Sequence, residues 1–196
     1  MRRKPPDAAS FLSSLSAFPC CPATTTGDQF LRALESRAEV VLILRANGLE
    51  LAPFIVQAHA RGKLVAIHLD LVSGLRSDRS SVQWLCESGA DAVISSRGHL
   101  MPAIKRERMT AIQRLLLVRQ TQLSTGVGSI RRSEPDIVEI LPGVVLPQIL
   151  HLLPDLGRPL LAGGFVRSVD DIQALLGSGA VAVTSSKEEL WSLPHA

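Results

Sequence analysis

From Val40 onward the chain alternates, almost without a break, between short apolar runs and segments with helical spacing. The runs begin near positions 40, 64, 91, 110, 137, 160 and 180. Val40 to Leu44 (VVLIL) leads into a helical pattern from Leu49 to Arg61 that stops at Gly62. Lys63 to Leu69 (KLVAIHL) precedes a helix opened by Ser77 and Asp78, running through Cys86 and capped by Gly89. Asp91 to Ser95 precedes a helix over Gly98 to Glu107, and Thr110 to Val118 precedes one within Thr121 to Arg132. Asp136 to Leu141 (DIVEIL) precedes a short helix over Pro147 to Leu153. Runs that are apolar at nearly every position belong to strands buried on both faces. Such strands, alternating with helices, build a parallel sheet.

An eighth strand has one candidate, Phe18 to Thr24 (FPCCPAT), with a helix from Gly27 to Ser36 behind it. Pro19 and Pro22 count against it, because proline lacks a ladder donor. With it, the pattern predicts an α/β fold, a small and lean TIM-type (β/α)8 barrel. The alternative is an open doubly wound sheet, but the glycine signal lies at the end of the chain, not after the first strand. The 196 residues suit one core. The expected organisation is a leader segment over 1–17, read as a strand or helix, and a single barrel domain over 18–196.

The last two units carry the sharpest functional signal. Leu160 to Ala162 ends in Gly163 and Gly164, and Ala180 to Val183 ends in Thr184, Ser185 and Ser186. Glycine lets backbone approach an anion closely, and N–H groups opening a helix supply donors and a favourable dipole. Barrels commonly hold phosphate on the loops after strands seven and eight. A small phosphorylated ligand is therefore expected.

Hydrophobic residues make up 46%, which excludes a largely disordered chain. A formal charge of +3, from 21 basic and 18 acidic residues, permits nucleic-acid contact without arguing for it. Aromatics are 4% and Tyr is absent, which counts against base stacking on an aromatic sheet surface. Cys20, Cys21 and Cys86 form no CxxC pair and read as core residues of a reducing compartment. No apolar run approaches the ~20 residues that span a bilayer. Ser13, Ser14 and Ser16 interrupt what would be a signal-peptide core. The reading is a cytoplasmic protein with no membrane partner.

Function in a barrel gathers at the C-terminal ends of strands. Those positions hold His68 and Asp70; Ser95, Ser96 and Arg97; Gln113 and Arg114; Glu139, Pro142 and Gly143; Gly163, Gly164 and Arg167; and Ser185, Ser186 and Lys187. Each has a plainer reading. His68 can be a hydrogen-bonded barrel residue, and Asp70 can cap a turn before Gly74. Arg114 and Glu139 can form a structural ion pair. Ser185 and Ser186 can cap the last helix, with Glu188 or Glu189 completing a capping box. Asp70 and Glu139 could also act as an acid/base pair. No GxSxG, HExxH or P-loop is present, and no His/Cys cluster suggests a metal. Lys63 stands at the wrong end of its strand for a Schiff base.

Taken together, HLDLVSGL, DAVISSRGHL, TAIQRLLLV, DIVEILPGVV, LLAGGFVRSVDDI and AVAVTSSKEELW resemble the glycerol-3-phosphate-responsive antiterminator family. The resemblance runs in order from about Val40 to Trp191 and is poorest before Gly27, where PCCPATTT replaces a plainer strand. Ser73 stands where the family has an acidic residue, and Arg119 where its surroundings are more acidic. The resemblance implies a barrel that senses glycerol 3-phosphate, needs no other cofactor, and prevents termination in the leader mRNA of a glycerol operon. It puts phosphate on Gly163, Gly164, Ser185 and Ser186. Barrel geometry assigns the ligand's polar contacts to His68, Asp70, Gln113, Glu139 and Arg167.

RNA contact has weaker signals: Arg2, Arg3 and Lys4; Lys105, Arg106 and Arg108; Arg131 and Arg132. The plainer and favoured reading of each cluster is a solvated helix end. Backbone contact needs several on one face, and a homodimer would supply more charge. The leading expectation is a non-catalytic, RNA-binding regulator. The alternatives are an isomerase- or lyase-type barrel enzyme for a small phosphorylated metabolite, and a scaffold barrel whose pocket no longer matters.

Overall fold

The computed structural model describes residues 4–119 and 121–192. Eight strands close into a parallel barrel: β1 (Cys20–Thr24), β2 (Val40–Ile43), β3 (Leu64–His68), β4 (Ala92–Ser95), β5 (Thr110–Leu116), β6 (Ile137–Leu141), β7 (Leu160–Gly163) and β8 (Ala180–Ser185). β1 closes the ring by pairing with β2 on one side and β8 on the other. The expected TIM-type fold is therefore present, including its irregular first strand. Pro19 and Pro22 are tolerated because the carbonyls around them still serve the ladder. Val183 N–H donates to Pro19 O at 3.1 Å and Leu44 N–H to Thr24 O at 2.8 Å.

Helices α2 (Gly27–Leu34), α3 (Gly48–Ala60), α4 (Arg79–Ser88), α5 (Met101–Arg106), α6 (Thr121–Ser133), α7 (Leu146–Ile149) and α8 (Val169–Gly177) link successive strands, and α1 (Ala8–Ser16) precedes the barrel. Local chemistry fixes their ends. The Asp78 carboxylate accepts from Ser81 N–H at the start of α4, and Gly89 ends it in the left-handed region at φ 97°. Ser168 and Asp171 form a capping box on α8. Pro102 helps divide the expected Gly98–Glu107 helix into a 3-10 turn, Gly98–Leu100, and α5. The expected Pro147–Leu153 helix begins earlier, at Gly143, as mixed 3-10 and α turns ending at Leu152. Two short segments, Ala46–Asn47 and Val72–Ser73, pair outside the barrel, a feature the apolar pattern does not announce.

Strand side chains divide by period two. Cys21, Ala23, Val40, Leu42, Leu64, Ala66, Ala92, Ile94, Ile112, Ile137, Leu161 and Ala182 fill the inside. Their neighbours pack outward against the helices. α1 stops the N-terminal end of the barrel: Phe11 and Leu15 are fully buried and join the inner cluster. The leader is thus a helix, started by Asp7 accepting from Ser10 N–H at 2.8 Å. Cys20 and Cys21 are buried, and burial pushes the Cys20 thiol up to about 12. The Cys21 thiol donates to Leu15 O at 3.4 Å. Among the described residues, no helix is long and apolar enough to cross a membrane.

Because Phe11 fills the inner end of the barrel, Phe11→Ala should cost about 3–5 kcal/mol, read as a lowered urea midpoint with an unchanged slope.

Candidate functional site

Above the inner apolar layers the same inward positions turn polar. They hold His68, Arg114, Glu139 and Thr184, which are 3%, 9%, 1% and 3% exposed. They lie below a cavity of about 340 Å³ at the mouth, bounded among others by Arg114, Glu139, Gly164, Arg167, Thr184 and Lys187. Arg114 Nε donates to Glu139 Oε2 at 2.7 Å. Its Nη1 lies 3.3 Å from His68 Nδ1. A guanidinium only donates, so Nδ1 accepts and the imidazole proton sits on Nε2. That nitrogen faces Asp70 Oδ2 at 3.8 Å and the Leu44 backbone, neither in good hydrogen-bond geometry. Burial, with the Arg114 cation beside it, pulls His68 down to about 4.

The two loops expected to hold phosphate meet at this cavity. Gly164, with φ 85°, adopts a conformation that suits glycine. A Cβ at Gly163 would collide with Thr184 Oγ1 and lie 3.1 Å from Glu139 Oε1. Gly163 therefore sits beneath the cavity without lining it, and its missing side chain makes room for the Thr184 hydroxyl and, behind it, the Glu139 carboxylate. Ser185 is 5% exposed; its hydroxyl donates to Val166 O at 2.9 Å and accepts from Lys187 N–H at 3.1 Å. Ser186 is exposed on the cavity wall. No capping box forms with Glu188, whose carboxylate takes two bonds from Arg32, one of them at 2.7 Å.

Other nominated residues are placed differently. Gln113 is corrected: it points outward, donating to Ser129 Oγ at 2.9 Å and accepting from Ser133 Oγ on α6. The period-two alternation from inward Ile112 gives that direction. Asp70 ties loops together and does not line the cavity. It accepts from the Ser95 hydroxyl at 2.7 Å, Ser77 hydroxyl at 3.0 Å and Ser96 N–H at 2.7 Å. Burial works to raise its pKa, but these bonds outweigh burial and leave it lowered. Arg114, Thr184 and Lys187 join the candidate site in its stead; Thr184 shares the inward parity of Ala182.

The basic clusters do not converge on the cavity. Lys105 and Arg108 lie with Lys4 near the stoppered end, where Lys105 Nζ donates to Glu134 O at 3.0 Å. Arg106 is exposed at the end of α5, and Arg131 and Arg132 lie in the last turn of α6. Arg2 and Arg3 fall outside the described residues.

A (β/α)8 barrel whose mouth holds a cavity framed by its last two loops and lined by Arg114, Arg167 and Lys187 beside Glu139 defines the class of this protein. Residues 20–191 match the family described as glycerol-3-phosphate responsive antiterminator, and the chain belongs to that family. The match takes in β1, where the sequence resemblance is thinnest. The chain is similar to the glycerol uptake operon antiterminator regulatory protein of Listeria monocytogenes str. 4b F2365, at 32% identity over 88% of this chain and 94% of that one, with a TM-score of 0.84. A glycerol uptake operon antiterminator-related protein of Thermotoga maritima MSB8 is 25% identical over 89% and 98%, with a TM-score of 0.79. The Escherichia coli K12 protein YgcP is 28% identical over 82% of this chain and 85% of its own length.

His68 makes stability pH-dependent. Its folded pKa lies below the unfolded value, so the unfolded chain binds the extra proton between about pH 6.5 and 4. Stability should fall as pH falls through that window, by at most about 3 kcal/mol. His68→Gln should flatten the slope of melting temperature against pH there. Glu139→Gln, which strips Arg114 of its buried counter-charge, should cost about 3–5 kcal/mol in chemical denaturation.

Proposed function

We propose that the chain is an effector-responsive, non-catalytic RNA-binding regulator. It binds glycerol 3-phosphate in the mouth cavity and, so loaded, binds the leader mRNA of glycerol-utilisation genes and prevents premature termination. The family match over residues 20–191 carries this reading. The cavity chemistry supports it. Arg167 and Lys187 border the cavity and Arg114 lies at its floor, so three cations face one small space. A phosphate dianion placed against the Gly164 loop and the Ser185–Ser186–Lys187 loop would be held by charge and backbone donors together. The glycerol hydroxyls would meet Thr184, Glu139 and Arg114. His68 would act behind Arg114, holding the guanidinium in place.

The ligand favours the RNA-binding state only by its differential affinity for it. The setting is the cytoplasm, and a homodimer would double the charge offered to RNA. The competing reading, an enzyme on a small phosphorylated metabolite, would rest on Glu139 at the cavity floor. Against it, Glu139 is paired with Arg114 and Asp70 is saturated by hydroxyl and N–H donors. Turnover of any triose or glycerol phosphate, lost in Glu139→Gln, would replace the regulator reading.

Thermal unfolding with glycerol 3-phosphate, against glycerol and inorganic phosphate, is the test. At about 100 times Kd, linkage supplies ~2.7 kcal/mol, or roughly 5–11 °C for a domain of this size. Lys187→Gln should keep the unliganded melting point and lose most of the shift. Equal shifts with inorganic phosphate, or none with any ligand, would remove the sensor assignment.

A further inference from the structure

The clustered cations of the sequence lie away from the barrel mouth, but scattered ones surround it, two of them, Arg167 and Lys187, at the cavity itself. Six of the eight loops that leave the C-terminal ends of the strands each bring one exposed basic residue: Arg45, Arg76, Arg97, Arg119, Arg167 and Lys187. Several carboxylates of this face are already engaged. Asp78 caps α4, Asp171 caps α8, and Glu188 is held by Arg32. Asp70 is drawn into the serine cluster, with Arg97 Nε 3.8 Å away.

One aromatic ring stands out on the same face. Phe165 is 66% exposed, while Phe11, Phe18, Phe30 and Trp191 are buried. Phe54 and Trp84 are half-buried. Phe165 adopts φ 60°, a conformation L side chains rarely hold. The Arg167 guanidinium lies 5.8 Å from its ring centroid. A strained backbone that presents a large apolar ring to water, beside a cation, fits a surface built to receive a partner.

We infer that the barrel mouth is the RNA surface: single-stranded RNA lays its phosphates on this ring of cations and stacks a base on Phe165, directly over the effector cavity. The inference rests on the regulator reading for its partner. A flat base offers a face to the ring, and the adjoining phosphate offers charge to Arg167. The loop carrying Gly164, Phe165 and Arg167 also borders the cavity, so effector and RNA share one wall. The shared wall gives the two sites a route to couple, and any such coupling is reciprocal: glycerol 3-phosphate changes RNA affinity by the same factor as RNA changes affinity for glycerol 3-phosphate.

The test uses a 5′-labelled, unstructured, mixed-sequence 20-nucleotide RNA and fluorescence anisotropy over a range of salt, with glycerol 3-phosphate present. Phe165→Gly relieves the backbone strain, so the variant should melt no lower than the parent yet bind RNA roughly tenfold more weakly, with an unchanged salt slope. Phe165→Trp should restore binding. Arg45→Gln with Arg119→Gln, both remote from the ligand cations, should flatten the slope of log K against log salt by about 1.4. Lys105→Gln with Arg108→Gln, at the stoppered end, should change neither. The reverse pattern, with binding lost only at the stoppered end, overturns the mouth as the RNA surface. The effector-induced melting shift, measured on each variant, separates the two ideas. If the parent shows no shift, the sensor reading fails, while the variant pattern still locates RNA. If the shift persists and Phe165→Gly binds RNA like the parent, this inference alone fails. A parent that binds no RNA with or without effector overturns both.

Discussion

Closing eight strands on themselves leaves one narrow interior, and the rest of the molecule is fitted to its size. Mixing sizes makes the closure feasible: the small Cys21, Ala23, Ala66, Ala92 and Ala182 face inward among seven branched side chains. A close-packed interior cannot leave its lower end open to water, so α1 inserts Phe11 and Leu15 there. At the other end the apolar filling stops one layer short of the mouth. The layer above is a buried ion pair with an imidazole beside it, and that change from apolar to charged creates the cavity floor.

A buried pair such as Arg114 and Glu139 contributes little net stability, because both charges lose water. Its geometry explains why it belongs here. Glu139 occupies one side of the guanidinium and His68 accepts from another, so the remaining face of Arg114 is left toward the cavity. An arginine fixed from behind pays less entropy when an anion arrives than a free one would. Keeping His68 neutral matters for the same reason, since a second buried cation would repel Arg114.

Much of this was legible in the residues. The apolar runs located the strands within a residue or two, because strands buried on both faces leave an uninterrupted record. Ser77, Asp78 and Gly89 announced α4, because caps have strong side-chain requirements. β1 was harder, since its two prolines obey the ladder through neighbouring carbonyls that sequence does not display. Gln113 was misjudged by proximity to a strand end when parity decides direction. Asp70 was ambiguous because the serines that saturate it come from two loops, at 77 and at 95 and 96, brought together only by the barrel. The mouth cations were invisible as a group for a related reason: they are single residues spread between positions 45 and 187, and only closure sets them in a ring.

The hydroxyl of Ser185 has a mechanical meaning beyond its hydrogen-bond count. By donating to Val166 O and accepting from Lys187 N–H, it clasps the loop after β7 to the loop after β8. The two walls of the cavity are thereby one jaw. Because Ser185 ends β8, this clasp fixes the spacing of the cavity's two walls from the rim of the barrel itself.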